Sequence, residues 1–224
     1  MRKESQAEEL RPLSRLCLRE TEAIPGNGAR GQSQSGKHQA KEYKTGKKPM
    51  TEFITDGQIY QKVIQEEIPK ARKFLWLATS DLKDLYVAEG KRMVPFLKVL
   101  SELYQSGVEL RLIHAKEPGP NFRKDFDRYP SLIEGLERLL CPRVHFKTVI
   151  VDGKFAYSGS ANLTGAGMGA KSDGRRNFES GFITTEKDLV NRIMKQYDEL
   201  WMGKHCEACQ RKAYCTEYKD ILDQ

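Results

Sequence analysis

The sequence predicts an α/β fold in which a mixed β-sheet is flanked by helices. Three observations carry that reading. Apolar runs of strand length recur along the chain, as in FLWLATS at residues 74–80. Stretches with apolar residues at helical spacing alternate with those runs. Asp152-Gly153, set between two apolar runs, marks the tight turn of an antiparallel hairpin, so the sheet is not purely parallel.

Order is expected from Met50 onward. Ile59, Val63, Ile64 and Ile68 follow a helical spacing after the turn-like Asp56-Gly57. Residues 74–80 read as a buried strand. A helix is expected around residues 93–105, with Val94, Leu97, Leu100, Leu103 and Tyr104 on one side and Ser106-Gly107 as its stop. VELRLIH at 108–114 alternates as a second strand. EPGPNFRKDFDRYP reads as a loop from its Pro and Gly, and residues 131–140 as a short helix. VHFKTVIV at 144–151 is a third strand, and FAYSGS the return strand of the hairpin. A glycine-rich loop covers residues 164–176, and FESGFIT at 178–184 is a fifth strand. A last helix over about 186–202 spaces Leu189, Ile193, Tyr197 and Leu200 for burial.

Composition divides the chain into three parts: residues 1–50, 51–204 and 205–224. The first is a disordered basic tail, rich in Gly, Ser, Gln and Lys and too poor in apolar groups to offset its ordering entropy. A short helix within residues 5–22 would use Leu10, Leu13, Leu16 and Leu18. This tail holds eleven Lys/Arg against six Asp/Glu, so most of the net +7 charge sits there and the folded body is nearly neutral. Such an arm attracts polyanions, but bulk charge does not name one. No apolar run approaches the ~20 residues of a membrane span, and the N-terminus has no apolar stretch like a secretory signal. A cytoplasmic protein with no membrane partner is expected.

The middle part carries a constellation. His145-x-Lys147-x4-Asp152 comes first, then Gly159-Ser160-x-Asn162, then Asn177-x-Glu179. On a strand, His145 and Lys147 would share one face and form a pocket for phosphate. A neutral imidazole can attack an anionic phosphodiester without charge repulsion, which makes His145 the candidate nucleophile. Lys147 offers a point charge to nonbridging oxygens. Ser160 and Asn162 offer hydrogen bonds to the same oxygens. Glu179 can accept from the second imidazole nitrogen and orient the ring. Asp152 sits at the turn and takes a supporting role. His114, at a strand end, is a candidate substrate contact, as are Lys171, Arg175 and Arg176 in the glycine-rich loop.

This order of motifs resembles the phospholipase D superfamily, whose signature is H-x-K-x4-D followed by G-[SG]-x-N and a later acidic residue. The motifs span residues 144–184, and the pattern of elements extends the resemblance from about 50 to 203. The resemblance implies a phospholipase D-like α/β sandwich and a phosphohistidine mechanism with no catalytic cofactor. It also implies two histidines per site. Only one motif copy is present, so it implies a homodimer with one His145 from each subunit, as in the small bacterial endonucleases of that superfamily.

The third part reads His205-Cys206-x2-Cys209-x5-Cys215, a metal-site spacing in a reducing compartment. A structural zinc ion or [4Fe–4S] cluster needs a fourth ligand, from Cys141 or, for zinc, His205. The spacing with a distant upstream cysteine is similar to the iron–sulfur staple of some recombination and CRISPR-associated nucleases, which have another catalytic fold. Cys17 reads as a thiol outside this set.

The leading expectation is a metal-independent nuclease on DNA or RNA. The alternatives are a phospholipase or phosphatidyl transferase acting on lipid head groups, and a catalytically silent nucleic-acid-binding module.

Overall fold

The computed structural model describes residues 49–216. The tail helix and Cys17 fall outside them.

Strand β1 (Thr51–Thr55) ends at Asp56, whose backbone takes a positive φ of 46°. Helix α1 (Gly57–Ile59) continues as a π-helical stretch, Tyr60–Glu67, and a 3₁₀ turn, Ile68–Lys70. Its buried residues are those spaced for it: Ile59, Val63, Ile64 and Ile68. Strand β2 (Phe74–Thr79) follows, then a hairpin of β3 (Tyr86–Glu89) and β4 (Arg92–Pro95), and helix α2 (Phe96–Gln105). Next come β5 (Glu109–His114), α3 (Pro120–Phe126), α4 (Ser131–Gly135) and β6 (Leu136–Leu140). The chain closes with β7 (Lys147–Val151), β8 (Phe155–Gly159), β9 (Ser180–Thr184) and α5 (Lys187–Trp201).

Seven strands form one sheet in the order β1-β9-β8-β7-β2-β5-β6. Strands β2, β5 and β6 are parallel, and all other neighbours are antiparallel. Alternation then sorts the side chains. Leu75, Leu77, Leu110, Leu112, Val149 and Val151 face one core, shared with α2, α3, α4 and the first helical stretch. Ala78, Ile113, Ile150 and Ala156 face the other, shared with Val190 and Tyr197 of α5. Burying each such side chain is worth about 1.5–3 kcal/mol for the larger ones, which is what fixes the register against a one-residue slip.

Four expectations need correction. Residues 92–95 are not helical: Gly90 takes φ 60° and turns the chain into the β3–β4 hairpin, so α2 starts only after Pro95. The segment read as a loop contains α3, with Pro120 in its first turn and Phe122 and Phe126 buried one turn apart. Residues 136–140 are a strand, because Leu110 to His114 of β5 supply a parallel partner from Leu136 to Leu140. Strand β1, which the sequence did not announce, zips antiparallel onto β9 from Thr51↔Thr184 to Thr55↔Ser180.

Candidate active site

Apart from Asp152, the motif residues lie where β2, β5, β6 and β8 end and β7 and β9 begin. Lys147 of β7 lies in register with Gly159 of β8, and Gly159 with Gly181 of β9. The two positions beside Lys147 in this row have to be glycine. A Cβ on Gly159 would meet the Tyr157 hydroxyl and come within 2.5 Å of the Ser180 carbonyl oxygen. One on Gly181 would meet Tyr157 Cε2 at 2.6 Å. Tyr157 is wholly buried beneath the row, and burial pushes its phenol up to about 12.

Lys147 is 5% exposed, and its Nζ donates to the His145 carbonyl oxygen at 2.5 Å. Burial pushes its ammonium below the ordinary lysine range, while the charge of Glu179 pulls it back. A lysine held this way presents a fixed charge on little free chain. His145 itself stands just before β7 rather than within it, and it is exposed. Its ring makes no hydrogen bond among the described residues.

Asn162 is fastened by its oxygen. Oδ1 accepts from Ser80 N (3.2 Å), Ser80 Oγ (2.8 Å) and Asp81 N (3.1 Å), and Thr79 Oγ1 lies 3.1 Å away. The amide orientation follows, with Nδ2 left to donate elsewhere. Thr79 is the hub below it: its buried hydroxyl donates to Asp81 O and accepts from Leu163 N. Glu179 accepts from Asn177 Nδ2 at 3.0 Å and from Ser160 Oγ. Its expected hydrogen bond to His145 is not made within this chain. The Ser160 hydroxyl also accepts from Ser180 N at 3.1 Å.

Other sequence candidates lie elsewhere. Asp152 is at the far end of β7, a strand length from Lys147, at a positive φ of 54°. Its carboxylate takes the backbone N–H groups of Arg72, Lys73 and Phe74 at 2.8–3.1 Å. Burial alone would raise this carboxyl, but those three donors and Lys154 outweigh it and hold it below the ordinary range. Asp152 therefore clamps the entry to β2 and does not reach the site. His114 is buried, with Nδ1 against Lys116 O at 2.8 Å, so its ring is not on an open rim. Burial pushes it below the ordinary histidine value, toward the neutral ring. In the glycine-rich loop, Lys171 and Arg175 are exposed, whereas Arg176 is paired with Asp173 and packs over Gly57. Gly169 of that loop, at φ 76°, lies so near Asp56 that a Cβ would sit 2.6 Å from its carbonyl oxygen.

Sequence reasoning missed Thr79, Ser80, Asp56 and Phe178. The first three act from a distance in sequence. Phe178 had a signal, an aromatic between Arg176-Asn177 and Glu179, and it is 98% exposed.

The cysteine segment leaves α5 and turns back toward the end of β6. Cys215 Sγ lies 3.8 Å from Leu140 O, and Arg143 reaches Cys209. Even so, among the described residues no three His, Cys, Asp or Glu side chains are gathered closely enough to hold an ion. His205 stands apart, with Nε2 4.0 Å from Glu199. No helix among the described residues is long and apolar enough to cross a membrane.

A family model described as "Cardiolipin synthase, PLD-like domain" matches residues 64–201, which contain the whole constellation. A mitochondrial cardiolipin hydrolase of Chlamydomonas reinhardtii is 26% identical over 104 residues, 46% of this chain and 44% of that protein. The chain thus matches less than half the length of that relative. Among solved structures, the phospholipase D family member Nuc from Salmonella typhimurium has a TM-score of 0.51 at 14% identity, covering 69% of this chain and 95% of Nuc. NucT from Helicobacter pylori has 0.50 at 13%, covering 69% and 97%. At those identities the likeness is one of fold.

Proposed function

The chain belongs to the phospholipase D-like family, and from that we propose that it hydrolyses phosphodiester bonds in nucleic acid through a phosphohistidine on His145. The observation that carries the chemistry is Lys147: a buried ammonium held against the backbone of an exposed histidine.

In the proposed reaction a neutral ring nitrogen of His145 attacks phosphorus. An N–P bond forms as the P–O bond to the leaving group breaks, and the departing oxygen takes a proton from a second imidazolium. That imidazole then removes a proton from water, which attacks phosphorus, breaks the N–P bond and restores His145. Lys147 and Asn162 Nδ2 stabilise the nonbridging oxygens, while the Ser160 hydroxyl, donating to Glu179, holds that carboxylate in place. Glu179 keeps lone pairs free beyond those used by Ser160 and Asn177, and it takes the second His145 N–H when the ring turns inward. Among the described residues, His114 is buried and His205 lies beyond α5, so neither supplies the second imidazole, and His38 lies outside the described residues without the spacing of the motif. The partner's His145 supplies it, across a two-fold axis. No metal takes part.

Nucleic acid is favoured over lipid by what borders the site. Lys171 and Arg175 are exposed cations, and Phe178 offers an exposed ring beside Glu179, the combination that tracks a phosphate backbone and stacks on bases. The second reading, hydrolysis of a phospholipid such as cardiolipin, is favoured by the name of the Chlamydomonas relative. The test is cleavage of single- and double-stranded nucleic acid in excess EDTA, with His145→Ala alongside. Chelator-resistant cleavage that vanishes in the variant is expected. Inert nucleic acid with cleaved cardiolipin would replace the first reading by the second.

A further inference from the structure

Three buried polar side-chain atoms have no hydrogen-bond partner among the described residues: Trp76 Nε1, the Tyr197 hydroxyl and the Tyr157 hydroxyl. Trp76 and Tyr197 stack on each other where α5 packs on the sheet, with ring centroids 5.0 Å apart. Tyr157 belongs to the site. It pairs with Val149 as Gly159 pairs with Lys147, so its wholly buried side chain shares a face of the sheet with Lys147. Burying a hydroxyl with nothing to bond costs stability, and phenylalanine would fill the same space without that cost. An orphaned group of this kind calls for an account from function.

The place of the hydroxyl supplies one. The ring ends under the bend by which the chain leaves β8: a Cβ on Gly159 would meet the hydroxyl, and one on Gly181 would meet Cε2 at 2.6 Å. That bend, from Gly159 to Asn162, is fastened on both sides. Ser160 N donates to Ser180 O at 2.9 Å, and Ser160 Oγ accepts from Ser180 N at 3.1 Å. Asn162 Oδ1 is held by Ser80 and Asp81. Between these two fastenings stands Ala161, wholly buried. Burial pushes the Tyr157 phenol up and the Ala161 N–H pulls it back, so this N–H faces the phenol oxygen, at a geometry short of a full hydrogen bond.

We propose that the Tyr157 hydroxyl is the middle fastening of this bend: it accepts the Ala161 N–H as phosphate is bound, and so fixes Asn162 Nδ2 against the nonbridging oxygens. Tyr157 is a positioning residue. Covered by Gly159, it touches no substrate and transfers no proton. The role rests on the hydrolysis at His145, since the bend it holds belongs to that site.

The test is hydrolysis of bis(p-nitrophenyl) phosphate by the full chain, a diester that fills the phosphate pocket without nucleic-acid or lipid contacts. Tyr157→Phe removes the hydroxyl and keeps the ring. Its kcat falls about 3- to 30-fold while KM stays within about twofold. Its Tm matches or exceeds that of wild type, because the orphaned hydroxyl is gone. Added to Asn162→Ala, the same change lowers kcat by less than about twofold, since the bend then has no amide to aim. Wild-type kcat in Tyr157→Phe overturns the role. So does a Tm lowered by more than about 5 °C, or failure to fold, either of which makes the hydroxyl structural. Equal falls in the wild-type and Asn162→Ala backgrounds show that it does not act through Asn162, and overturn it too. A wild-type chain inert on this diester and on nucleic acid fails at the hydrolysis itself, an outcome distinct from an active wild type matched by Tyr157→Phe.

Discussion

Asp56 and Glu179 clasp each other through the backbone. Asp56 N donates to Glu179 O at 2.9 Å, and Glu179 N donates to Asp56 Oδ1 at 2.9 Å. The aspartate takes a positive φ of 46° at this double contact, which holds the Glu179 backbone from both its N–H and its carbonyl. Asp56→Ala keeps the strained backbone and loses the acceptor, so it should cost about 1–3 kcal/mol in urea unfolding. Asp56→Gly relieves the strain and should recover part of that stability. Its turnover should stay low, because Glu179 is still unclasped. Equal turnover in Asp56→Gly and wild type would show that the clasp does not serve the site.

Lys147→Met separates chemistry from stability. The ammonium is desolvated in the native state, so an apolar chain of similar length should change unfolding free energy by no more than about 1 kcal/mol. Loss of its charge should lower kcat at least about a hundredfold. A large fall in stability with normal kcat would reverse the roles.

Asp152 predicts an acid limb. Its folded pKa lies below the unfolded value, so its contribution is fully present above about pH 4 and is lost as pH falls through the folded pKa. Asp152→Asn keeps a residue tolerant of φ 54° but has no charge to lose. Its stability should fall less steeply than wild type below about pH 4. Activity per folded molecule should stay normal near neutrality, since the carboxylate sits a strand away from Lys147.

Phe178→Ala tests the substrate. A ring 98% exposed contributes little to folding, so stability should shift by less than about 0.5 kcal/mol. Affinity for single-stranded DNA should fall about 5- to 100-fold if the ring stacks on a base. Unchanged DNA affinity would remove Phe178 from the proposed interface.

The parts legible in the sequence were those decided locally. A short apolar run announced β2, period-two alternation announced β5, Asp152-Gly153 announced the β7–β8 hairpin, and the motif spacing brought Lys147 and Asn162 to one end of them. The parts that were not legible depend on partners far along the chain. LERLL after Ser131 fits a helix as well as a strand, and only pairing with β5 decides for β6. The fastening of Asn162 by Ser80 and Asp81 crosses more than eighty residues, so no local pattern could mark it. Glu179 was assigned to His145 by motif logic, whereas its immediate neighbours Ser160 and Asn177 occupy it in the single chain.

Strand β1 pairs with β9 across 133 residues, from Thr51 to Thr184. On a ribosome adding about 5–20 residues each second, β1 therefore waits roughly 7–25 s for its partner to be made. During that interval Asp56 has no Glu179 to clasp and Ile54, wholly buried in the finished fold, has no sheet to bury it. The last strand of the sheet thus completes the edge and the site in one event, and translation speed through residues 56–180 sets how long the nascent chain stays open.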